Sequence, residues 1–462
     1  MSQCPYTHML FEELFNKEHL SEYFQRHLIN RNGGGRDRMT PLQYWERMEE
    51  DLDCIIEKCS NQSYEFSPYR ESLITKSRFK YPRCISIPTV RDRLVLGVLN
   101  EYLQKVFKEA VNHNTPNQLI QRIKEYISLN KDKEIRFFKS DFSQFYDNIR
   151  QPLLISKLRK RIDDERIISL VSKAIQTPTI PLGEPRNSVE ESFVGVPQGL
   201  AISNILSFIY MLDTDERFSS LGADIYIRYV DDILMLNPHF DSVGEILKDY
   251  LKQEKMGITL SQEKTLSGRI PNDTLDFLGY VLYEDIISIR KNSIDRQLQR
   301  IAHLCAGLRR MIESPASRPR FINSEEELVY YYVELLNETI SGIRFESRMY
   351  GWMPYFQAST DLQVFYRMDK VVRKMTKKIE QLSPFRIHSF VKTYYDIIEN
   401  GGKKYLLDYD AISDTPSRKA FLVGRGVINK DSQVSDEHIN QLFQNYCDNR
   451  KKAMEKNIGY FK

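Results

Sequence analysis

Two adjacent aspartates, Asp231 and Asp232, sit in the middle of IYIRYVDDILML, residues 225–236. Ile225, Tyr226, Ile227, Tyr229 and Val230 favour a strand on one side of the pair, and Ile233, Leu234 and Leu236 do so on the other. For an isolated pair the plainer reading is a turn, since Asp is a common turn residue. Strongly apolar arms, however, imply a buried sheet, and such a sheet would drive both carboxylates into one partly shielded place. Like charges repel there, and a divalent cation is the natural remedy. A third carboxylate is available in RFFKSDFSQFYDNI, residues 136–149, where Asp141 directly follows a predicted strand over 135–139. If that strand lies beside the hairpin, Asp141 faces Asp231. Carboxylates, water and phosphate oxygens are the ligands Mg²⁺ prefers. Two such ions about 3.5–4 Å apart activate an attacking hydroxyl and stabilise a leaving pyrophosphate. Phosphoryl transfer needs little else beyond positioning. Three aspartates on adjoining strands would therefore form a complete core for adding nucleotides. Asp147, six residues after Asp141, falls past the expected strand end and is read as structural.

The elements that must hold these residues are legible in outline. In FVGVPQGLAISNILS, residues 193–207, Gly195, Pro197 and Gly199 mark a constrained turn leading into a helix. Backbone at such a turn approaches a flat ligand closely, and Gln198 carries both a donor and an acceptor. A plain loop-to-helix junction with a solvent-facing Gln198 is an equal reading. The run 200–212 predicts a buried helix, and the turn-rich stretch 177–192 predicts a loop. Upstream, Ile85-Ser86-Ile87-Pro88 alternates and stops at the proline, with a helix expected through Leu94, Val95, Val98 and Leu99. The N-terminal stretch to about residue 70 reads as helical, with Leu42, Trp45, Met48, Leu52 and Ile55 at helical spacing. Gly33-Gly34-Gly35 before it, followed by Arg36 and Arg38, is read as a flexible surface loop in preference to a basic nucleic-acid contact. It is not a phosphate-binding P-loop, because no G-K-[ST] follows. Beyond about residue 290 the chain reads as mostly helical, and no internal repeat is present.

Bulk composition fits an ordinary globular chain. At about 100–200 residues per domain, 462 residues suggest two to four folding units. Hydrophobic residues at 41% supply a sizeable core. No uninterrupted apolar run reaches the roughly 18 residues of a membrane span, and the first residues do not read as a secretion signal. Lys and Arg total 66 against 63 Asp and Glu, a net charge of +3 that can hide two opposed fields. The six cysteines are scattered without C-x-x-C or matching His spacing, which argues against zinc and for reduced thiols in a cytoplasmic protein.

Taken in order, SDFSQFYDNI, GVPQGLAISNIL, IRYVDDILML, LSQEKT and DFLGY resemble the consecutive palm motifs of reverse transcriptases. RCISIPTVRDRLV upstream is similar to the fingers segment of the group II intron and bacterial enzymes. The resemblance spans roughly residues 30–282, and six ordered motifs are far more specific than one. It implies an α+β right-hand polymerase: fingers and palm, with an antiparallel sheet carrying the YVDD hairpin, then a helical thumb and a helical C-terminal extension. The corresponding boundaries are 1–135, 136–285 with a fingers insertion at about 150–194, 286–382 and 383–462. It implies that Asp141, Asp231 and Asp232 bind two Mg²⁺ ions, with Mn²⁺ an alternative, and that Phe142 lends a backbone carbonyl. Tyr146 would lie beneath the incoming sugar and exclude a 2′-hydroxyl, while Gln198 would touch sugar and base. Lys76 and Arg83 would grip the triphosphate; a guanidinium fork suits phosphate oxygens. Lys264 would lie near the pyrophosphate and donate a proton, and residues 277–280 would hold the primer end.

Departures refine the resemblance. Many relatives carry Ser-Pro where this chain has Ser203-Asn204, and the VTG signature of retron enzymes, a Cys/His-rich endonuclease and an RNase H segment are not evident. The pattern most resembles the bacterial abortive-infection and defence-associated reverse transcriptases. The implied activity is RNA-directed DNA synthesis on a structured noncoding RNA in antiviral defence. Its partners would be that RNA template, deoxynucleotides and the DNA product, with a second copy of the chain or an accessory protein as further candidates and no membrane. A template-independent or RNA-making polymerase, or an RNA-binding scaffold without chemistry, are the competing readings.

The C-terminal third offers basic clusters: Arg290, Lys291, Arg296 and Arg300, then Arg367, Lys370, Arg373, Lys374, Lys377 and Lys378. With Met368, Val371, Val372 and Met375 interleaved, the second predicts a helix apolar on one side and basic on the other, suited to a sugar-phosphate backbone or merely to solvent. Trp352 and Tyr355 are read as thumb core, with base stacking the alternative. Ser435-Asp436-Glu437 is expected to open a helix that Arg450-Lys451-Lys452 closes, following the helix dipole.

Overall fold

A computed structural model describes residues 9–29, 31, 33–74, 82–110, 115–185, 193–220, 222–237, 242–429 and 432–458. The chain divides into two compact units, Met1–His113 with Phe137–Ser267, and Asn114–Arg136 with Gly268–Lys462. Among the described residues no helix is long and apolar enough to cross a membrane.

The first unit is built around the helix Val90–Val106. Leu94, Val95, Leu96, Val98 and Leu99 are all fully buried, as expected of a helix apolar on most of its circumference. Thr89 caps its start by accepting from the Asp92 backbone N–H. Asp92 is itself buried, and burial raises its pKa, but its carboxylate accepts from Tyr64 Oη, Thr89 Oγ1 and the Ser67 N–H. The N-terminal stretch is helical as expected, though Arg47 separates Pro41–Trp45 from Met48–Ser60. Met48, Leu52 and Ile55 are core, whereas Leu42 faces solvent: the break shifts the helical phase. The triple glycine is not a free loop, since a Cβ on Gly35 would lie 2.6 Å from the Thr89 backbone.

Two sheets flank this core. In one, β1 (Tyr69–Ile74) pairs antiparallel with β2 (Arg83–Ile87). The segment 177–192, expected to be loop, contributes two residues of strand to the same sheet, β4 (Thr179–Ile180), parallel to β1. In the other sheet, β3 (Ile135–Ser143), β5 (Ile225–Tyr229), β6 (Asp232–Leu236) and β7 (Thr259–Leu260) run in the order β5-β6-β3-β7. The helix predicted over 200–212 spans Ser203–Ser219, starting later because Gly199 to Ile202 turn into it, and running two turns further. The strand β8 (Leu266–Ile270) leads out of this unit.

The second unit is mainly helical, as expected. Its larger helices are Lys291–Glu313, Glu325–Ser341, Leu362–Thr376, Phe390–Asn400, Thr415–Gly424 and Asp436–Ile458. Two small sheets were not anticipated in full. One is a meander of β9 (Leu275–Phe277), β10 (Tyr280–Tyr283) and β11 (Ile286–Ile289). Leu278 and Gly279, both at positive φ, form the two-residue turn between β9 and β10, so 277–280 is a hairpin. The other joins β12 (Ile343–Phe345), β13 (Arg348–Tyr350) and β14 (Leu407–Asp408). Trp352 and Tyr355 are buried; Tyr355 donates to the Leu278 carbonyl and accepts, through its own carbonyl, from Tyr280, so both are core. The last helix continues to Ile458, past the basic trio expected to close it. Arg450 and Lys451 instead pair with Glu338 and Glu346, so tertiary ion pairs and not the helix dipole position them.

Candidate active site

Strand β3 is apolar enough to occupy the middle of its sheet, with Phe137 and Phe138 buried. It pairs antiparallel with β6 from Phe137↔Leu236 through to Asp141↔Asp232. Residues directly opposite in such a pair point to the same face, so the register brings these two carboxylates together. The β5–β6 hairpin closes in two residues, Val230 and Asp231, because Tyr229 pairs with Asp232. Val230 has φ +59°. A β-branched residue there is strained, at a position where two-residue turns favour glycine, and such strain of about 1–3 kcal/mol gathers at functional sites. The Asp231 carbonyl accepts from the Phe142 N–H at 3.1 Å, which fastens the turn to β3.

Asp141 and Asp231 are buried, while Asp232 is partly exposed. Asp141 Oδ2 is ion-paired with the Lys264 ammonium, and Asp141 Oδ1 is buried with no hydrogen-bond partner. The segment 261–265 is stitched to β3 to make this contact. The Ser261 N–H donates to the Asp141 carbonyl at 2.7 Å, and the Thr265 and Ser140 hydroxyls meet at 2.8 Å. An orphaned buried carboxylate oxygen is costly and is the kind of group a cation would satisfy, so the residues present fit a divalent metal. Among the described residues no three acidic, histidine or cysteine side chains are grouped closely enough to hold a metal ion by themselves. An open set with few protein ligands is what Mg²⁺ accepts, since it keeps waters and substrate oxygens in its shell. The Phe142 side chain is core, stacked on Phe145 at 5.4 Å, and only its backbone is available to such an ion.

A second group lies beside the carboxylates. Tyr146 opens a short 3₁₀ turn, Tyr146–Asn148. Burial pushes its phenol pKa up, the Ser207 hydroxyl opposes this, the Asp231 carboxylate adds to it, and Arg228 and Arg83 oppose. That dependence places Tyr146, Asp231 and Arg83 in one electrostatic neighbourhood. Arg83, half-buried, opens β2 opposite Ile74. Gln198 is held by its backbone, whose carbonyl accepts from Ser86 of β2 at 2.7 Å, and its side chain donates to Asp147 Oδ1 at 3.3 Å. Asp147 thus lies off the strand, as expected, in a positioning contact. The loop before the helix needs its glycines: a Cβ on Gly199, at φ +104°, would sit 2.7 Å from Ile85 Cγ2. Lys76 lies outside the described residues.

Four residues have a part in this site that the sequence reading did not give them. Arg228, inside the apolar strand β5, is buried and forks onto Asp215 through contacts of 2.5–2.9 Å. It also donates to the Val230 carbonyl at 2.7 Å, and its guanidinium lies over the Phe208 ring. Burial works against its charge, but Asp215 holds its pKa above the ordinary arginine value. Asn204 accepts a 2.8 Å hydrogen bond from Tyr146 Oη. Asn204, Phe208 and Asp215 recur at helical spacing on Ser203–Ser219, so one helix face supports both the turn and the tyrosine. A charged residue interrupting IYIRY was the available signal for Arg228; nothing local marked its partners.

Residues 74–282, a little under half of the chain, match the family model described as reverse transcriptase (RNA-dependent DNA polymerase). It is 24% identical over 305 residues to protein YkfC of Escherichia coli, covering 56% of this chain and 76% of that protein. It is 24% identical over 264 residues to the group II intron-encoded protein LtrA of Lactococcus lactis, covering 54% and 43%. An uncharacterized 91 kDa protein in a cob intron of Schizosaccharomyces pombe is 29% identical over 178 residues, covering 37% and 21%. The chain thus spans less than half of the last two relatives. Among solved structures, telomerase from Candida albicans in complex with a fragment of telomeric RNA aligns over 76% of this chain and 68% of its own, at 15% identity and a TM-score of 0.41.

Proposed function

We propose that this protein is an RNA-directed DNA polymerase that adds deoxynucleotides to a primer end. One observation carries the reading: the β3–β6 register sets Asp141 opposite Asp232, beside the turn that holds Asp231, and leaves Asp141 Oδ1 buried without a partner. The match of residues 74–282 supports it. Asp141, Asp231, Asp232 and the Phe142 carbonyl would hold two Mg²⁺ ions, with Mn²⁺ able to replace them. Bound there, the ions would supply Lewis acidity to the attacking 3′-hydroxyl and the departing pyrophosphate. The chain's own groups do the rest. Lys264, tethered beside Asp141, balances the carboxylates before substrate arrives and is the proton donor for the pyrophosphate. Arg83, with Lys76 assigned by motif alone, binds the triphosphate. Gln198 contacts the sugar and base, and Tyr146 packs under the sugar and obstructs a 2′-hydroxyl.

On this reading residues 1–135 are N-terminal extension and fingers, 136–285 the palm with a fingers insertion at about 150–194, 286–382 the thumb and 383–462 an extension. Hairpin 277–280 holds the primer. The resemblance to abortive-infection enzymes supports a cytoplasmic defence role with a structured noncoding RNA as template.

The test is primer extension on an RNA template with Mg²⁺ and labelled deoxynucleotides. The wild type is expected to make polymer, and Asp231→Ala Asp232→Ala to make none above background. Equal synthesis by the two proteins would reject the assignment.

A further inference from the structure

The resemblance read from the sequence expects proline at position 204, and the asparagine that stands there instead makes a contact. The Tyr146 hydroxyl donates to Asn204 Oδ1 at 2.8 Å. Asn204 lies one residue into the helix Ser203–Ser219 and is exposed, so no core packing dictates an asparagine there. Proline has neither a side-chain acceptor nor a backbone donor. The helix start is itself fixed, since Ser203 Oγ donates to the Pro197 carbonyl at 2.6 Å and Ser207 Oγ to the Asn204 carbonyl at 2.7 Å. The ring of Tyr146 is held at its base too, in edge contact with Phe145 at 5.5 Å. The Tyr146 carbonyl accepts from the Val196 N–H at 2.8 Å. Backbone, ring edge and hydroxyl are therefore all anchored.

We propose that Asn204 is a positioning residue for sugar selection: it clamps the Tyr146 phenol so that the ring cannot tilt away from an incoming 2′-hydroxyl. The inference rests on the polymerase reading and adds to it a determinant of substrate choice. A planar ring excludes an extra hydroxyl by standing in its place, and a ring free to rotate about χ1 and χ2 yields. Without the clamp, ribonucleotides should gain relative to deoxynucleotides, whose sugar packs on the ring but carries no 2′-hydroxyl to displace it.

The experiment measures kcat/KM for a deoxynucleotide and for the matching ribonucleotide in four proteins: wild type, Asn204→Ala, Tyr146→Phe and the double variant. Loss of one neutral hydrogen bond predicts a fall in the deoxy-to-ribo ratio of about three- to tenfold in each single variant. The double variant should fall no further than Tyr146→Phe, which already removes the bond to Asn204 together with the Ser207 contact to the same hydroxyl. Asn204→Asp keeps an acceptor on the same framework and should hold the ratio within about twofold of wild type. A ratio unchanged in Asn204→Ala, or effects that multiply in the double variant, would overturn the clamp while leaving the polymerase reading intact. Absence of deoxynucleotide incorporation by the wild type would instead remove the reading on which the clamp rests.

Discussion

At the scale of single residues, the charge that most repays attention is Arg228. A guanidinium buried in a strand is sustainable only if paired and hydrogen-bonded, and Asp215 supplies both. Its Nη1 also donates to the Val230 carbonyl, directly under the strained turn that presents Asp231. Arg228 is therefore read as the brace of that turn. Arg228→Ala would strand Asp215 and release the turn, so we expect a loss of about 3 kcal/mol, or roughly 5–10 °C in Tm, together with a large fall in nucleotide addition. Arg228→Lys keeps a charge but loses the fork, and should retain more stability than Arg228→Ala while still losing activity. Thermal melts and primer extension on the same preparations check this, and an active Arg228→Ala would contradict the bracing role. The three aspartates were legible because they stand next to strongly patterned strands. Arg228 was visible only as an anomaly, since its partner lies thirteen residues away on another element and no local period links them. Asn204 was noticed as a departure, but only the packed structure shows what its side chain meets.

At the scale of elements, the alternation of apolar residues in 225–236 and 135–139 specified strands whose register is costly to slip, because one residue of slip exchanges the two faces. That is why the hairpin and β3 could be read directly. The three-residue strands β12 and β13 leave no period to detect, and the start of the helix Ser203–Ser219 depends on how Gly199 packs against β2. Gly199 joins two elements, since its own conformation is left-handed and a Cβ there would meet Ile85 and the Ser86 carbonyl. Gly199→Ala should cost about 1–3 kcal/mol from backbone strain and displace Gln198, whose carbonyl holds the Ser86 N–H. The expected readout is a Tm lower by several degrees and a raised KM for the nucleotide. A variant with wild-type KM would show that the loop tolerates a methyl group and that Gln198 does not depend on it.

At the scale of the whole chain, a net charge of +3 conceals segregation. Acids gather in the candidate active site, while the helix Leu362–Thr376 buries Val364, Phe365, Met368 and Val372 and turns its other side outward. That outward side carries Tyr366, Arg367, Lys370, Arg373 and Lys374, all exposed, so the amphipathic helix anticipated from sequence is present. Whether its basic stripe meets a sugar-phosphate backbone or only solvent is decided by salt. Each phosphate contact to a single strand releases about 0.7 of a counterion, so removing two contacts should flatten the slope of log K against log salt by about 1.4. We therefore expect Lys370→Gln Lys374→Gln to bind single-stranded RNA more weakly at low salt, with that smaller slope and an unchanged Tm, since both side chains are exposed. Fluorescence anisotropy across a salt series makes the measurement. An identical slope in the two proteins would identify the stripe as an ordinary solvated helix face and move the search for the RNA path to other basic residues, beginning with Arg296 and Arg300 on Lys291–Glu313, where burial and the neighbouring Arg296 charge lower the Arg300 pKa to about 10.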